Sequence, residues 1–151
     1  MKAIATNLCN NILERGKQDN IRITPMKLQK LLYYVCRDYV IETGQMPIAE
    51  QFQVWQYGPV LESVYGEFKD FGARPITSFA KNASGRSYMV SEDKNPILAR
   101  IIDIVWARHK DKSGITLSRM THQAGSGWMT AFLDGRDTIT EEDMKNDTTG
   151  R

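Results

Sequence analysis

Cysteine and histidine are scarce, with two of each in 151 residues. Cys9 and Cys36 both fall in helical patterns, with no Cys or His beside them at metal-ligand spacing. The expected state of each is a buried, reduced thiol rather than a disulfide or a zinc site. Net charge is small as well, at +2, which by itself implies no polyanion partner. No apolar run approaches the length needed to span a bilayer. The N-terminal MKAIATNLCNNILERG is interrupted by Asn10, Asn11 and Glu14, which argues against a signal peptide. A cytoplasmic protein is the expectation, and no membrane partner is expected.

Catalytic constellations are missing too. His109-Lys110-Asp111 are neighbours on one helix, so their side chains point in three directions and cannot converge on one atom. A solvated helix end accounts for them, with Lys110 and Lys112 favoured at the negative pole. Ser91 and Lys94 match a Ser-x-x-Lys spacing, but the partner motifs of a serine acyl enzyme are absent. Gly125-Ser126-Gly127 has neither a preceding strand nor a following Lys-Ser/Thr pair, so it is a turn and not a phosphate loop. His122 stands without a nucleophile or a second ligand, which favours a structural imidazole over an acid-base group. The sequence offers no enzyme and calls for no cofactor or metal.

What is present is a soluble-domain composition, 41% hydrophobic and 25% charged, in a chain long enough for one real core. Amphipathic helices are expected at 3–15, 25–42, 59–71, 96–110 and 115–123. The strongest begins at Thr24-Pro25, an N-cap followed by proline at the first helical position. Leu28, Leu31, Leu32, Val35, Cys36 and Tyr39 then recur at helical spacing. Gly16, Gly44 with Pro47, and Gly72 are expected to stop helices, and Pro59 to start one. Asn95-Pro96 repeats the cap-proline signal ahead of Leu98, Ile101, Ile102, Val105 and Trp106. Residues 52–55 and 87–91 alternate and are read as two short strands that pair with each other. The fold class is mainly α: a single compact multi-helix domain of five to seven helices over residues 1–145, with at most a small two-stranded β element. Residues 146–151 are expected to form a disordered tail. The core is expected from Leu28, Leu31, Leu32, Val35, Leu61, Val64, Phe68, Ile101, Ile102 and Val105, with Tyr33 and Tyr34 in the core or at its edge rather than at an interface.

Several segments together resemble one family. Lys27 to Tyr34 reads KLQKLLYY, Trp55 to Val60 reads WQYGPV, and Tyr65 follows as an aromatic. Leu117, Thr121 and His122 are followed by Trp128, and Ile139 to Asp143 closes the pattern. In this order they resemble the Panacea or SocA-like antitoxin domain, also known as phage-associated GepA-like. The likeness runs over most of the chain, from about Leu8 to Met144. The Ala124–Gly127 segment departs from it, where a bulkier or more acidic sequence is usual.

The resemblance implies an antitoxin, often prophage-encoded or tied to phage defence, that neutralises a cognate toxin by direct binding. It also implies a possible adaptor role that presents the toxin to a host protease. The partner face is expected to comprise Lys27, Gln29 and Lys30 on the flank of the second helix, the corner Trp55, Tyr57, Gly58 and Pro59, then Tyr65, His122 and Trp128. Two alternatives stay open at this point: a DNA-binding regulator using residues 113–133 as a helix-turn-helix, and a prophage factor that binds another host protein. The would-be recognition helix WMTAFLDG carries no Arg, Asn or Gln to read base edges, so a nucleic-acid partner is not expected. The toxin's identity and the oligomeric state are not legible.

Overall fold

A computed structural model of the chain describes residues 2–151. Among these residues there are seven α-helices and a two-stranded hairpin. The helices are α1 (Ala5–Asp19), α2 (Pro25–Thr43), α3 (Glu62–Phe68), α4 (Pro96–His109), α5 (Gly114–Thr121), α6 (Gly127–Leu133) and α7 (Glu141–Lys145). The strands are β1 (Gln53–Trp55) and β2 (Gly58–Val60), and a 3-10 turn over Lys69–Phe71 extends α3. The mainly α, single-domain expectation is met.

The central helix is α2, against which α1, α4, α5 and α7 all pack. Thr24 caps it by accepting the Lys27 amide, with Pro25 in the first turn. Leu28, Leu31, Leu32 and Val35 are at most 1% exposed, and each of the ten expected core residues is buried. Burial runs around the whole helix and takes in Lys27, Gln29, Lys30 and Arg37. A helix enclosed on all sides must give every polar side chain an internal partner.

Several boundaries differ from expectation, each for a physical reason. Gly16 does not stop α1. It allows close packing, since a Cβ there would lie 2.8 Å from Ile23 Cδ1 and 2.9 Å from the Ile21 carbonyl. The helix ends instead at Asn20, which adopts φ 55° and donates its amide back to Lys17 O. Pro59 does not start a helix either. It lies in β2, which pairs antiparallel with β1, and α3 begins only at Glu62.

Residues 87–91 form no strand. Their backbone is taken up by α1, where Asn10 Nδ2 donates to Tyr88 O at 2.8 Å and Asn11 bonds both the amide and the carbonyl of Val90. The two asparagines that break the apolar run of the N-terminus are therefore buried backbone readers, 0% and 1% exposed.

The tail beyond 145 is packed, not disordered. Asp147 is 1% and Thr149 6% exposed, and Asp147 pairs with the buried Arg37. The tail also covers His109, which is 1% exposed and not a solvated helix end. Its ring stacks on Tyr34, and Nε2 donates to Gly150 O at 3.0 Å while Nδ1 accepts from Lys112 Nζ at 2.9 Å. Burial holds its pKa down at about 4. Both cysteines are buried and free. Among the described residues, no helix is long and apolar enough to cross a membrane.

Candidate functional site

The hairpin β1–β2 makes a tight corner at Gln56-Tyr57. Gly58 sits there at φ +114°, a conformation that L side chains rarely adopt. A Cβ at Gly58 would also meet Thr121 Oγ1 at 2.6 Å and Lys30 Cε at 3.0 Å. Glycine is required twice over, for its dihedral and for its lack of volume.

Side chains from three helices grip the backbone of this corner. Trp128 Nε1 on α6 donates to Trp55 O at 2.8 Å. His122 Nε2, at the end of α5, lies 2.8 Å from Gln56 O, and Ser118 Oγ donates to Tyr57 O at 2.6 Å. From α2, Lys30 Nζ donates to Pro59 O at 3.0 Å, and Gln29 bonds both the carbonyl and the amide of Leu61 at 3.1 and 3.0 Å. Three successive carbonyls, those of Trp55, Gln56 and Tyr57, are thus each satisfied by a different side chain. The corner is fixed in place from below.

His122 faces carbonyl oxygens with both ring nitrogens, the second being Nδ1 at 2.6 Å from Ser118 O. A neutral imidazole has one N–H and can donate to one of them; the imidazolium donates to both. The ring also lies 4.1 Å from that of Trp128, which in turn stacks on Phe132 at 5.0 Å. With its ring nitrogens 2.6 and 2.8 Å from the carbonyls of Ser118 and Gln56, His122 clasps the end of α5 to the corner.

Above the corner, the side chains are aromatic and open. Tyr57 is 59% and Tyr65 50% exposed, and Tyr65 meets Trp55 edge-on at 5.0 Å. Trp55 is half-buried, its Nε1 donating to Gln53 Oε1 at 2.9 Å. Beside them runs an apolar groove of about 420 Å³ between the start of α2, the corner and α3, with Met26, Val64 and Phe68 among its walls. Lys30 lines it too, 1% exposed and in no ion pair among the described residues. Burial alone lowers its ammonium pKa to about 7.

Of the ten residues expected at a partner face, the structure brings Trp55, Tyr57 and Tyr65 together on the open side of the corner, while His122 and the buried Trp128, 7% exposed, clamp its backbone instead. Gly58, Pro59, Gln29 and Lys30 lie beneath the corner as its support. They are buried, so Gln29 and Lys30 are not a helix flank open to an acidic partner. Lys27 belongs elsewhere: it is 5% exposed and donates to Lys110 O, closing the end of α4. Sequence reasoning missed Ser118 and Phe132. Each lies four residues from a residue it did select, Ser118 before His122 and Phe132 after Trp128, and that spacing puts both pairs on common helix faces. The proposed recognition helix, α6, buries Trp128 and Ala131 and leaves Thr130, Phe132 and Leu133 exposed, so it shows DNA no Arg, Asn or Gln.

The profile of the family described as "Antitoxin SocA-like, Panacea domain" matches residues 28–129, which contain the corner and all but the first three residues of the central helix. The chain belongs to this family. It is also 27% identical over 127 residues to a protein named Antitoxin SocA from Caulobacter vibrioides (strain NA1000 / CB15N), covering 82% of this chain and 68% of that one. No solved structure matches. Of the segments that carry the resemblance, Gln29 and Lys30, the WQYGPV stretch, Thr121-His122 and Trp128 meet at the corner, while Lys27 does not. In this Panacea domain the motif residues thus hold one backbone turn in place.

Proposed function

We propose that this chain is the antitoxin of a toxin–antitoxin pair and neutralises its toxin by binding it directly through the aromatic face of the corner. The observation that carries the proposal is the clamped turn itself. Three helices spend side-chain hydrogen bonds on a surface turn that carries the half-exposed Tyr57, and the similarly open Tyr65 of α3 stands beside it. Such a surface loses little conformational freedom on binding, so more of the contact energy appears as affinity. Tyrosine and tryptophan beside an apolar groove are also the residue types that dominate interface energetics.

The same geometry supports a non-enzymatic role. His122 and Lys30 direct their polar atoms at backbone carbonyls, and the groove's other walls are apolar and aromatic apart from Gln56 and Gln29, the latter bonded to Leu61. Binding alone uses everything the site presents.

The test is co-expression with the neighbouring gene from a two-gene plasmid. Expression of the neighbour alone should arrest growth, and this chain should restore it. A harmless neighbour, or no restoration, counts against the proposal.

A further inference from the structure

A second and larger groove, of about 940 Å³, opens between the C-terminal end of α1, residues 20–23 and the loop 71–79. It shares no lining residue with the groove at the corner. Its lining is unusual in charge. Lys17, Arg22, Arg74 and Lys81 line it, and no carboxylate does. All four are exposed, and none joins an ion pair among the described residues. In a chain with a net charge of only +2, this is a local concentration of positive charge. Of the acids near the groove in sequence, Asp19 accepts from Trp106 Nε1 at 2.7 Å and faces Lys110, Glu67 accepts the Lys81 amide at 3.0 Å, and Asp70, whose carbonyl holds Arg74, does not line the groove.

Between the cations the groove presents Leu13, Ile21, Ile23 and Ile76 together with the neutral polar Asn20, Thr77, Ser78 and Ser87. It is also built rigidly. Ile76 N donates to Ile23 O at 2.8 Å, which ties the loop to the segment before α2. Arg74 is held by the carbonyls of Asp70 and Phe71 at 2.8 and 3.1 Å through Nη2 and Nε, which leaves Nη1 to meet an anion. Gly16 keeps the inner wall close, as its contacts with Ile21 and Ile23 require.

We propose that this groove docks an acidic segment of a partner protein, with aliphatic or aromatic residues between its carboxylates. Four unpaired cations set the charge of the occupant, and the apolar floor sets its alternation with hydrophobic side chains. A single-stranded nucleic acid fits less well, because it needs open aromatic faces for its bases to stack on. Here Lys17 Nζ stands 5.7 Å over the Phe79 ring, and Phe71 leans on Phe68 with ring centroids 6.5 Å apart. The surface is separate from the corner, so the proposal stands or falls independently of toxin binding there.

The test is selection of a random dodecapeptide display library on the full chain, with counter-selection on the double variant Arg22→Glu/Lys81→Glu. Both substitutions are at exposed positions, and a thermal melt checks that the variant stays folded. The recovered peptides should combine Asp or Glu with Leu, Ile or Phe. In fluorescence anisotropy the best of them should lose about tenfold or more in affinity to the double variant, and a similar factor when its acids become amides. Affinity should also fall as salt rises. Recovery of no peptide family, or of peptides indifferent to the double variant, overturns the proposal. So does binding of a dT12 oligonucleotide as tightly as the peptide at the same salt, which would mark a general polyanion surface.

Discussion

Substituting Asp147 by alanine should destabilise the chain far more than an ordinary polar substitution does. Its Oδ2 accepts from Tyr33 Oη at 2.6 Å and from the Gly127 amide at 2.9 Å. Its Oδ1 accepts from Arg37 Nη1 at 3.2 Å and from the amide and hydroxyl of Thr149 at 2.8 and 2.7 Å. Arg37 is 0% exposed, and its Nη2 has no hydrogen-bond partner. Removing the carboxylate leaves the guanidinium buried with only the partly exposed Asp38 as counter-ion. Breaking a buried pair in this way costs roughly 3–5 kcal/mol. That is a large share of the roughly 5–15 kcal/mol that holds a domain together. With a urea slope of about 2 kcal/mol/M, the unfolding midpoint should drop by roughly 1.5–2.5 M. Urea unfolding of wild type and Asp147→Ala, followed by circular dichroism, measures this. A loss below about 1 kcal/mol with an unchanged slope would refute the reasoning, since exposed substitutions away from such networks stay near that level or below.

Two further outcomes follow from the corner. Gly58→Ala should lower the melting temperature by about 5 °C or more, because strain at a positive φ costs roughly 1–3 kcal/mol before the clash with Thr121 is counted; an unchanged melt would mean the turn tolerates a side chain. Lys30 gives a pH signature whose sign is fixed by its depressed pKa, about 7 in the fold against 10.5 ordinarily. The charged form is disfavoured in the folded state, so the associated stability is complete above pH 10.5, is lost as pH falls toward 7, and is level below that. Lys30→Met should therefore gain on wild type by a few kcal/mol between pH 10 and pH 7 in urea melts. Parallel curves for the two proteins would contradict it.

The helices were legible where local signals act alone. Thr24-Pro25 and Asn95-Pro96 mark helix starts because a side-chain cap and a pre-set φ operate within one turn of chain. The buried face of α2 was legible from its apolar spacing, but the burial of Lys30 and Gln29 was not. Their partners, the carbonyls of Pro59 and Leu61, lie about thirty residues away and are backbone atoms that sequence does not label. The same reason hid the roles of Asn10 and Asn11, which pair with backbone some seventy to eighty residues on. The tail was misjudged because its polar letters resemble a disordered end; only the buried Arg37, on another element, turns Asp147 into an anchor. At the site, the aromatic corner was legible through the resemblance, but the clamp under it was not, since each clamping bond joins two distant segments.

The central claim, that the aromatic corner is the toxin-binding face, is tested most directly by calorimetric titration of the purified product of the neighbouring gene into wild type and into Tyr57→Ala/Tyr65→Ala. Both tyrosines are at least half exposed, so the double variant should keep the wild-type circular dichroism spectrum and melt. The account predicts that it binds weaker by about 2 kcal/mol or more, close to thirtyfold in Kd. A folded double variant that binds with full affinity would contradict the claim and remove the corner from the interface.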